Sequence, residues 1–307
     1  MATIYGNDTD SFISWSMTDS QNTAATSQNT LEIEGAGTDE KLKKYRNYWW
    51  KTGNYHPKAK WEEASIPYEL ATDVSWEEYV EKTDKYNIHG WWEWENGTVN
   101  VIELPLRFHE YCVSAITQEI YEATRSVKCT YFGIFASGSM STKSRGSGKE
   151  ADASYIPEAK PQVNDDGSDG KNHPWPNLVV EVAYSETEAN VKNKVENYWL
   201  ATGRAHDAIV IKLKPIDSDT APSCMTAWHY CTNVRTAAGA LNSTMYEFGT
   251  VDRQGNPINP QLGQNVINIQ LNCLYHGVPA NFVIPPLPNP IPIDLFYARY
   301  AIEHCNY

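Results

Sequence analysis

The sequence predicts an α/β (α+β) fold, with a mixed central β-sheet flanked by helices. Three observations lead there. NLVVEVAY (177–184) and HDAIVIKLKP (206–215) are apolar runs of strand length, bounded by polar segments, as buried strands read. The segment between them, from Glu186 to Ala201, places Val191, Val195 and Tyr198 on one helical face and stops at Gly203, a natural C-cap. Upstream, helix and strand signals alternate with no internal repeat, the pattern of stacked layers of helix and sheet.

Taken in order, residues 1–40 read as a disordered polar tail. The first 30 contain no Lys or Arg, and Ser, Thr, Asn, Gln and Asp dominate them, too little apolar surface to offset ordering entropy. Residues 41–70 form a basic and aromatic extension. Within 41–60, Lys43, Lys44, Arg46 and Lys51 interleave with Tyr45, Tyr48, Trp49 and Trp50, and there is no carboxylate. Cations for phosphate and flat rings for bases suit nucleic-acid contact. The competing reading docks the rings on the domain and leaves the lysines wet, and it is favoured because so many rings are costly to expose.

Residues 71–278 read as the main domain. SWEE predicts a helix with Ser75 as N-cap and Glu78 closing a capping box. GWWEWENGTVNVIEL predicts a hairpin turning at Asn96-Gly97. His109, Val113, Ile116 and Ile120 lie on one face of a helix spanning about 106–125. YFGIFASG (131–138) is a strand, followed by a Gly/Ser-rich link and the short strand ADASYIP. Residues 158–175 are loop. After 207–213, strands are expected near 224–231 and 244–251 and at VINIQL, with a turn at Gln254–Pro257. Residues 279–307 form a proline-rich C-terminal extension in which LFYARYAIEHC makes a short helix.

Composition narrows the function. With 38 acidic and 25 basic residues the net charge is −13, so the overall field repels phosphate and a histone-like binder is excluded, although a local basic patch is not. No basic-plus-apolar signal peptide opens the chain and no run spans a membrane, so an intracellular protein, cytoplasmic or nuclear, is expected. The 6 cysteines are widely and irregularly spaced without a CxxC pair, as reduced thiols read. Cys224, His229 and Cys231 are three soft ligands lacking a fourth, and ordinary strand packing is the better account of them.

Two carboxylates stand out. Asp152 opens a short strand, and Glu181 sits inside the most apolar strand of the chain, between Val180 and Val182. A charge there is expensive unless paired or bound to a cation. Alternation points Glu181 away from Val180 and Val182. If the two strands are neighbours, Asp152 and Glu181 share a face and suit Mg²⁺ or Mn²⁺. The alternative is a buried ion pair of Glu181 with Lys194 or Arg125. Lys194, at the edge of the following helix, can reach the carboxylate strand and neutralise developing charge, whereas Lys192 on the other edge is a weaker candidate.

PNLVVEVAYSETEANVKNKVENYWLATGRAHDAIVIKLKP resembles the core of Uma2-type endonucleases, a branch of the PD-(D/E)XK nuclease superfamily. The Glu181-Val182 pair, Ser185, Lys194, Tyr198 and Gly203 carry the likeness, with Glu93–Gly97, His109 and Asp152 upstream, over about residues 70–275. It implies a restriction-endonuclease-like sandwich and metal-dependent hydrolysis of DNA phosphodiesters. Asp152 and Glu181 would be the Mg²⁺ or Mn²⁺ ligands. Lys194 would be a displaced catalytic lysine, since Ala183 stands two residues after Glu181 where the superfamily usually has lysine. Glu119 would be an accessory acid. His109, on an apolar stripe, reads better as a hydrogen-bonded core residue than as a ligand. The implied partners are DNA and, for cutting both strands, a second copy in a homodimer. A degenerate copy that binds without cutting has a similar sequence. A sugar-binding role for Trp49-Trp50, Trp91-Trp92 and Trp94 is the weakest alternative, because hairpin tryptophans mostly fill cores.

Overall fold

A computed structural model describes residues 38–56, 58–59, 66–104, 106–144, 146–164, 166–214 and 221–304, all within one unit, Gly37–Tyr307. The expected tail lies almost wholly outside the described residues, as do the side chains of Lys41 and Lys44. In chain order, α1 (Thr38–Thr52), β1 (Tyr68–Ala71) and α2 (Trp76–Tyr86) precede a hairpin of β2 (Trp92–Glu95) and β3 (Thr98–Val101). Helix α3 (Arg107–Thr124) leads to β4 (Ile134–Ala136), a second hairpin of β5 (Ser141–Ser144) and β6 (Ser147–Glu150), and β7 (Ala153–Pro157). Strand β8 (Leu178–Ala183), helix α4 (Glu188–Lys194), a π turn over Val195–Trp199 and β9 (Asp207–Lys214) follow. The chain then runs through β10 (Cys224–Arg235), β11 (Leu241–Glu247), β12 (Val266–Ile269), α5 (Leu271–Leu274), β13 (Ile291–Asp294) and α6 (Leu295–Glu303).

Among the described residues the strands form three sheets. The central one is ordered β11-β10-β9-β8-β7-β4, with β8 and β9 parallel and every other pair antiparallel, so it is mixed as expected. Alternation along β8 decides which layer each side chain joins. Leu178, Val180 and Val182 enter an apolar cluster with Phe108, Ile116 and Ile120 of α3 and Ala298 and Ile302 of α6. Val179 and Ala183 enter the opposite cluster with Val191, Val195 and Trp199. The second sheet, β1-β3-β2-β6-β5, is antiparallel, and α1 and α2 bury its tryptophan face through Leu42, Trp49 and Tyr79 against Trp92 and Trp94. β12 and β13 pair separately.

The local signals hold at α2, where the Ser75 hydroxyl accepts the Glu78 N–H, and at the first hairpin, where Asn96 and Gly97 both have positive φ (48° and 87°). The supposed Gly/Ser-rich link is the β5–β6 hairpin. Its low apolar content reflects a close approach: a Cβ on Gly148 would lie 1.8 Å from the Trp76 ring. The proline-rich extension contains β13, an edge strand where a missing donor is tolerated.

Candidate active site

Register places the two predicted carboxylates together. β7 and β8 pair with Ala153 opposite Val180, which sets Asp152 beside Glu181 where the ladder ends. Asp152 extends that ladder with its side chain, Oδ2 accepting the Val182 N–H at 2.6 Å. Its Oδ1 faces His109 Nε2 of α3 at 3.2 Å. Glu181 points into the α4 layer, where Trp199 Nε1 donates to Oε1 and Lys194 Nζ lies 2.8 Å from Oε2. The π turn closes with the Leu200 N–H on the Val195 carbonyl at 2.9 Å, a local widening of the helix where Trp199 meets the strand.

Lys194 is the hub. Its ammonium also lies 3.3 Å from Glu93 on β2 and 3.3 Å from Glu186 before α4. Glu93 has a second cation, Lys149 of β6. It reaches this layer because strand alternation sends Trp92 and Trp94 to the tryptophan core and Glu93 to the other face. The link from β8 to α4 is tied from both sides. Glu103 accepts the N–H groups of Tyr184, Ser185 and Glu186 at 2.7, 2.8 and 3.3 Å, while Lys212 Nζ donates to the carbonyls of Tyr184 and Glu186, both at 2.6 Å.

One ammonium shared among three carboxylates cannot neutralise them all. Burial opposes ionisation of Glu93, but Lys194 and Lys149 outweigh it and hold its carboxyl below the usual range. Burial is likewise outweighed at Asp152 by His109 and Lys194. Among the described residues, Lys194 is the one cation within ion-pair distance of Glu181 and of Glu186. Burial pushes Glu181 up to about 8, with Asp152 and Glu186 adding to the rise, and pushes Glu186 up to about 7. Lys194 and His109 are both held well above their ordinary values, because the surrounding carboxylates overcome the cost of burial.

A cleft of about 350 Å³ opens beside this cluster, lined by Glu93, Lys149, Asn190, Lys194, Asn197 and Arg204 among others. The Asp152 and Glu181 side chains are 6% and 2% exposed and do not line it. The carboxylates therefore lie behind Lys194 and Glu93, not open to the cleft.

Of the two ion-pair partners foreseen for Glu181, Lys194 is the one observed. Arg125 instead lies 3.7 Å from Glu122. Glu119 is not brought to the cluster: it accepts the Asp294 N–H at 3.3 Å, at the end of β13. Lys192 also points elsewhere, to Glu188 at 2.7 Å and over the Trp228 ring. His109 is buried and hydrogen-bonded as expected, through Nδ1 to Glu110 Oε1 at 3.1 Å, but its Nε2 forms an ion-pair contact with the candidate ligand Asp152. The basic segment docks through Leu42 and Trp49, while Tyr48 stays exposed and Arg46 lies 3.4 Å from Glu69. Lys43 and Lys51 are exposed.

Sequence reasoning left Glu93, Lys149, Glu186 and Glu103 out of the site. The alternation in Trp92-Glu93-Trp94-Glu95 was the available signal for Glu93, since a hairpin with one tryptophan face must turn its acids the other way. Nothing local signals Lys149, which acts across two hairpins.

No family model and no curated protein matches this chain. Among solved structures, one match is a crystal structure titled as a "putative nuclease belonging to DUF820" from Anabaena variabilis. It shares 11% identity at a TM-score of 0.36, over 51% of this chain and 76% of that one. An overlap that loose carries no argument about fold or chemistry here. Among the described residues no helix is long and apolar enough to cross a membrane.

Proposed function

We propose that this protein is a metal-dependent endonuclease that hydrolyses DNA phosphodiester bonds, with Asp152, Glu181 and Lys194 as its catalytic residues. The observation that carries this reading is the juxtaposition of Asp152 and Glu181 at one strand end with Lys194 Nζ 2.8 Å from Glu181. The donor set fits a hard divalent ion. Carboxylates outnumber cations around Lys194, and two of them have their proton affinity raised by burial, with neighbouring carboxylates adding to the rise. Asp152 and Glu181 would hold Mg²⁺ or Mn²⁺. When bound, such an ion supplies a hydroxide at neutral pH and polarises the phosphate. The chain's own groups do the rest. His109 keeps Asp152 ionised, Lys194 offsets charge developing on the phosphoryl oxygens, and Lys149 and Arg204 in the cleft attract the DNA backbone. The likeness to Uma2-type PD-(D/E)XK nucleases belongs to this proposal, as does a homodimer in which each copy cuts one strand.

A second reading has an observation of its own. Both carboxylates are sealed from the cleft, as expected of a nuclease-fold protein that binds DNA or protein without cutting. Incubation of the pure protein with plasmid DNA and Mg²⁺ or Mn²⁺ separates the two. Cleavage that is lost in Glu181→Gln and Asp152→Asn, with circular dichroism unchanged, supports the nuclease. DNA retention without cleavage by the wild type assigns the binding role, and cleavage that persists in both variants removes the assignment of this site.

A further inference from the structure

We propose that His206, Asp207, Cys231 and Cys273 form a structural zinc site at the start of β9, three ladder positions from the candidate active site. Their candidate ligand atoms all lie within 4.8 Å of one another. They come from three separate segments: the start of β9, the middle of β10 and α5. Asp207 pairs with Leu178 in the β8–β9 ladder, whereas Glu181 pairs with Val210, so the two sites sit at different levels of the sheet.

The donor set is what zinc prefers: two thiolates, an imidazole and a carboxylate in a closed, four-ligand arrangement. The two sulfurs are 3.6 Å apart. Sulfurs each about 2.3 Å from a tetrahedral centre lie about 3.8 Å from one another, so the pair needs almost no movement. Three of the four residues are buried, and among the described residues Asp207 Oδ2 has no hydrogen-bond partner, which is costly for a buried carboxylate unless a cation is to be met. The far atoms of the other donors are already held. His229 Nε2 lies 2.8 Å from Asp207 Oδ1, and Thr232 Oγ1 lies 3.0 Å from His206 Nδ1, contacts that orient the carboxylate and the ring. Asn233 Nδ2 donates to Cys273 Sγ at 3.4 Å, and the His206 and Asp207 N–H groups are both fixed on the Asn177 carbonyl at 2.9 Å. Zinc would displace the thiol protons to solvent and tie β9 and β10 to α5.

The triplet Cys224, His229 and Cys231 does not form the site. Cys231 is a ligand, His229 orients Asp207, and Cys224 starts β10 seven residues earlier at the far end of that ladder.

The full chain, purified in reductant and dialysed after incubation with Zn²⁺, is expected to retain one zinc per chain by plasma mass spectrometry. Loading with Co²⁺ instead should give the strong visible bands of a tetrahedral centre and a thiolate charge-transfer band. Cys231→Ser and Cys273→Ser should each lower zinc affinity at least tenfold, and Asp207→Asn should shift the cobalt bands. Glu181→Gln should retain the zinc, which keeps this result separate from the nuclease reading. Absence of retained metal, a cobalt spectrum without thiolate charge transfer, equal metal content in the doubly substituted cysteine variant, or a native Cys231–Cys273 disulfide each overturns the proposal. The wild-type cobalt spectrum decides even if the cysteine variants fail to fold.

Discussion

Glu181→Gln tests the electrostatics of the buried cluster without reference to any ligand. Glutamine keeps an acceptor for Trp199 Nε1 and the shape of the side chain, and it removes the ionisable group. Glu181 titrates near 8 in the folded protein against an ordinary carboxyl near 4.5. A raised folded-state value means that the folded form binds more protons than the unfolded form. Glu181 therefore contributes fully below about pH 4.5, and that contribution is lost as pH rises toward 8. At ~1.4 kcal/mol per pH unit the ceiling is about 5 kcal/mol, and sharing of protons with Glu186 through Lys194 reduces the expected effect to about 2–3 kcal/mol. The variant should match the wild type at pH 5 and exceed it by that amount at pH 8, measured by urea unfolding in EDTA with tryptophan fluorescence. A variant that is less stable than the wild type at pH 8 would show that Glu181 is a well-compensated anion, and the excess-charge argument would fail. Added Mg²⁺ should stabilise the wild type at pH 8 and leave the variant unchanged.

Lys194→Met strands Glu181 and Glu186, leaves Glu93 to Lys149 alone, and should cost about 3–5 kcal/mol at pH 8. The loss should shrink at pH 5, where Glu181 and Glu186 are protonated, and an equal loss at both pH values would mean that the lysine acts by packing. Replacing Lys43, Arg46 and Lys51 by Glu should weaken DNA binding and flatten its salt dependence, each lost phosphate contact removing about 0.9 from the log–log slope. An unchanged slope assigns α1 to packing alone. Gly148→Ala should destabilise by about 2–3 kcal/mol, because the added methyl meets the Trp76 ring. A neutral result in a thermal melt would show that the ring has room to move.

The mixed sheet, the helix layers and the Asp152–Glu181–Lys194 set were legible because each rests on a local pattern: apolar runs of strand length, a helical stripe and one acid where none should be. Glu93 and Lys149 were hidden because they reach the cluster from a different sheet, and no spacing along the chain encodes that approach. The β5–β6 hairpin was hidden for another reason. Its strands are built of Ser, Gly, Thr, Lys and Glu because one face is crowded by Trp76 and the other is polar, so it lacks the apolar alternation that marks a strand. The three residues gathered around Asp207 illustrate the same limit: Cys273 lies 42 residues from Cys231 and meets it only after folding.

The grip of Glu103 and Lys212 on residues 184–186 implies a division of labour between the walls around the sealed acids. That corner is bolted by both its amides and its carbonyls, so rearranging it breaks several charge-assisted bonds at once. The facing wall, made by β2 and β6, meets Lys194 through the single carboxylate of Glu93. Uncovering Asp152 and Glu181 is therefore expected to displace the hairpin wall and leave the corner in place, and amide exchange should register the difference as faster deuteration at Glu93 than at Ser185.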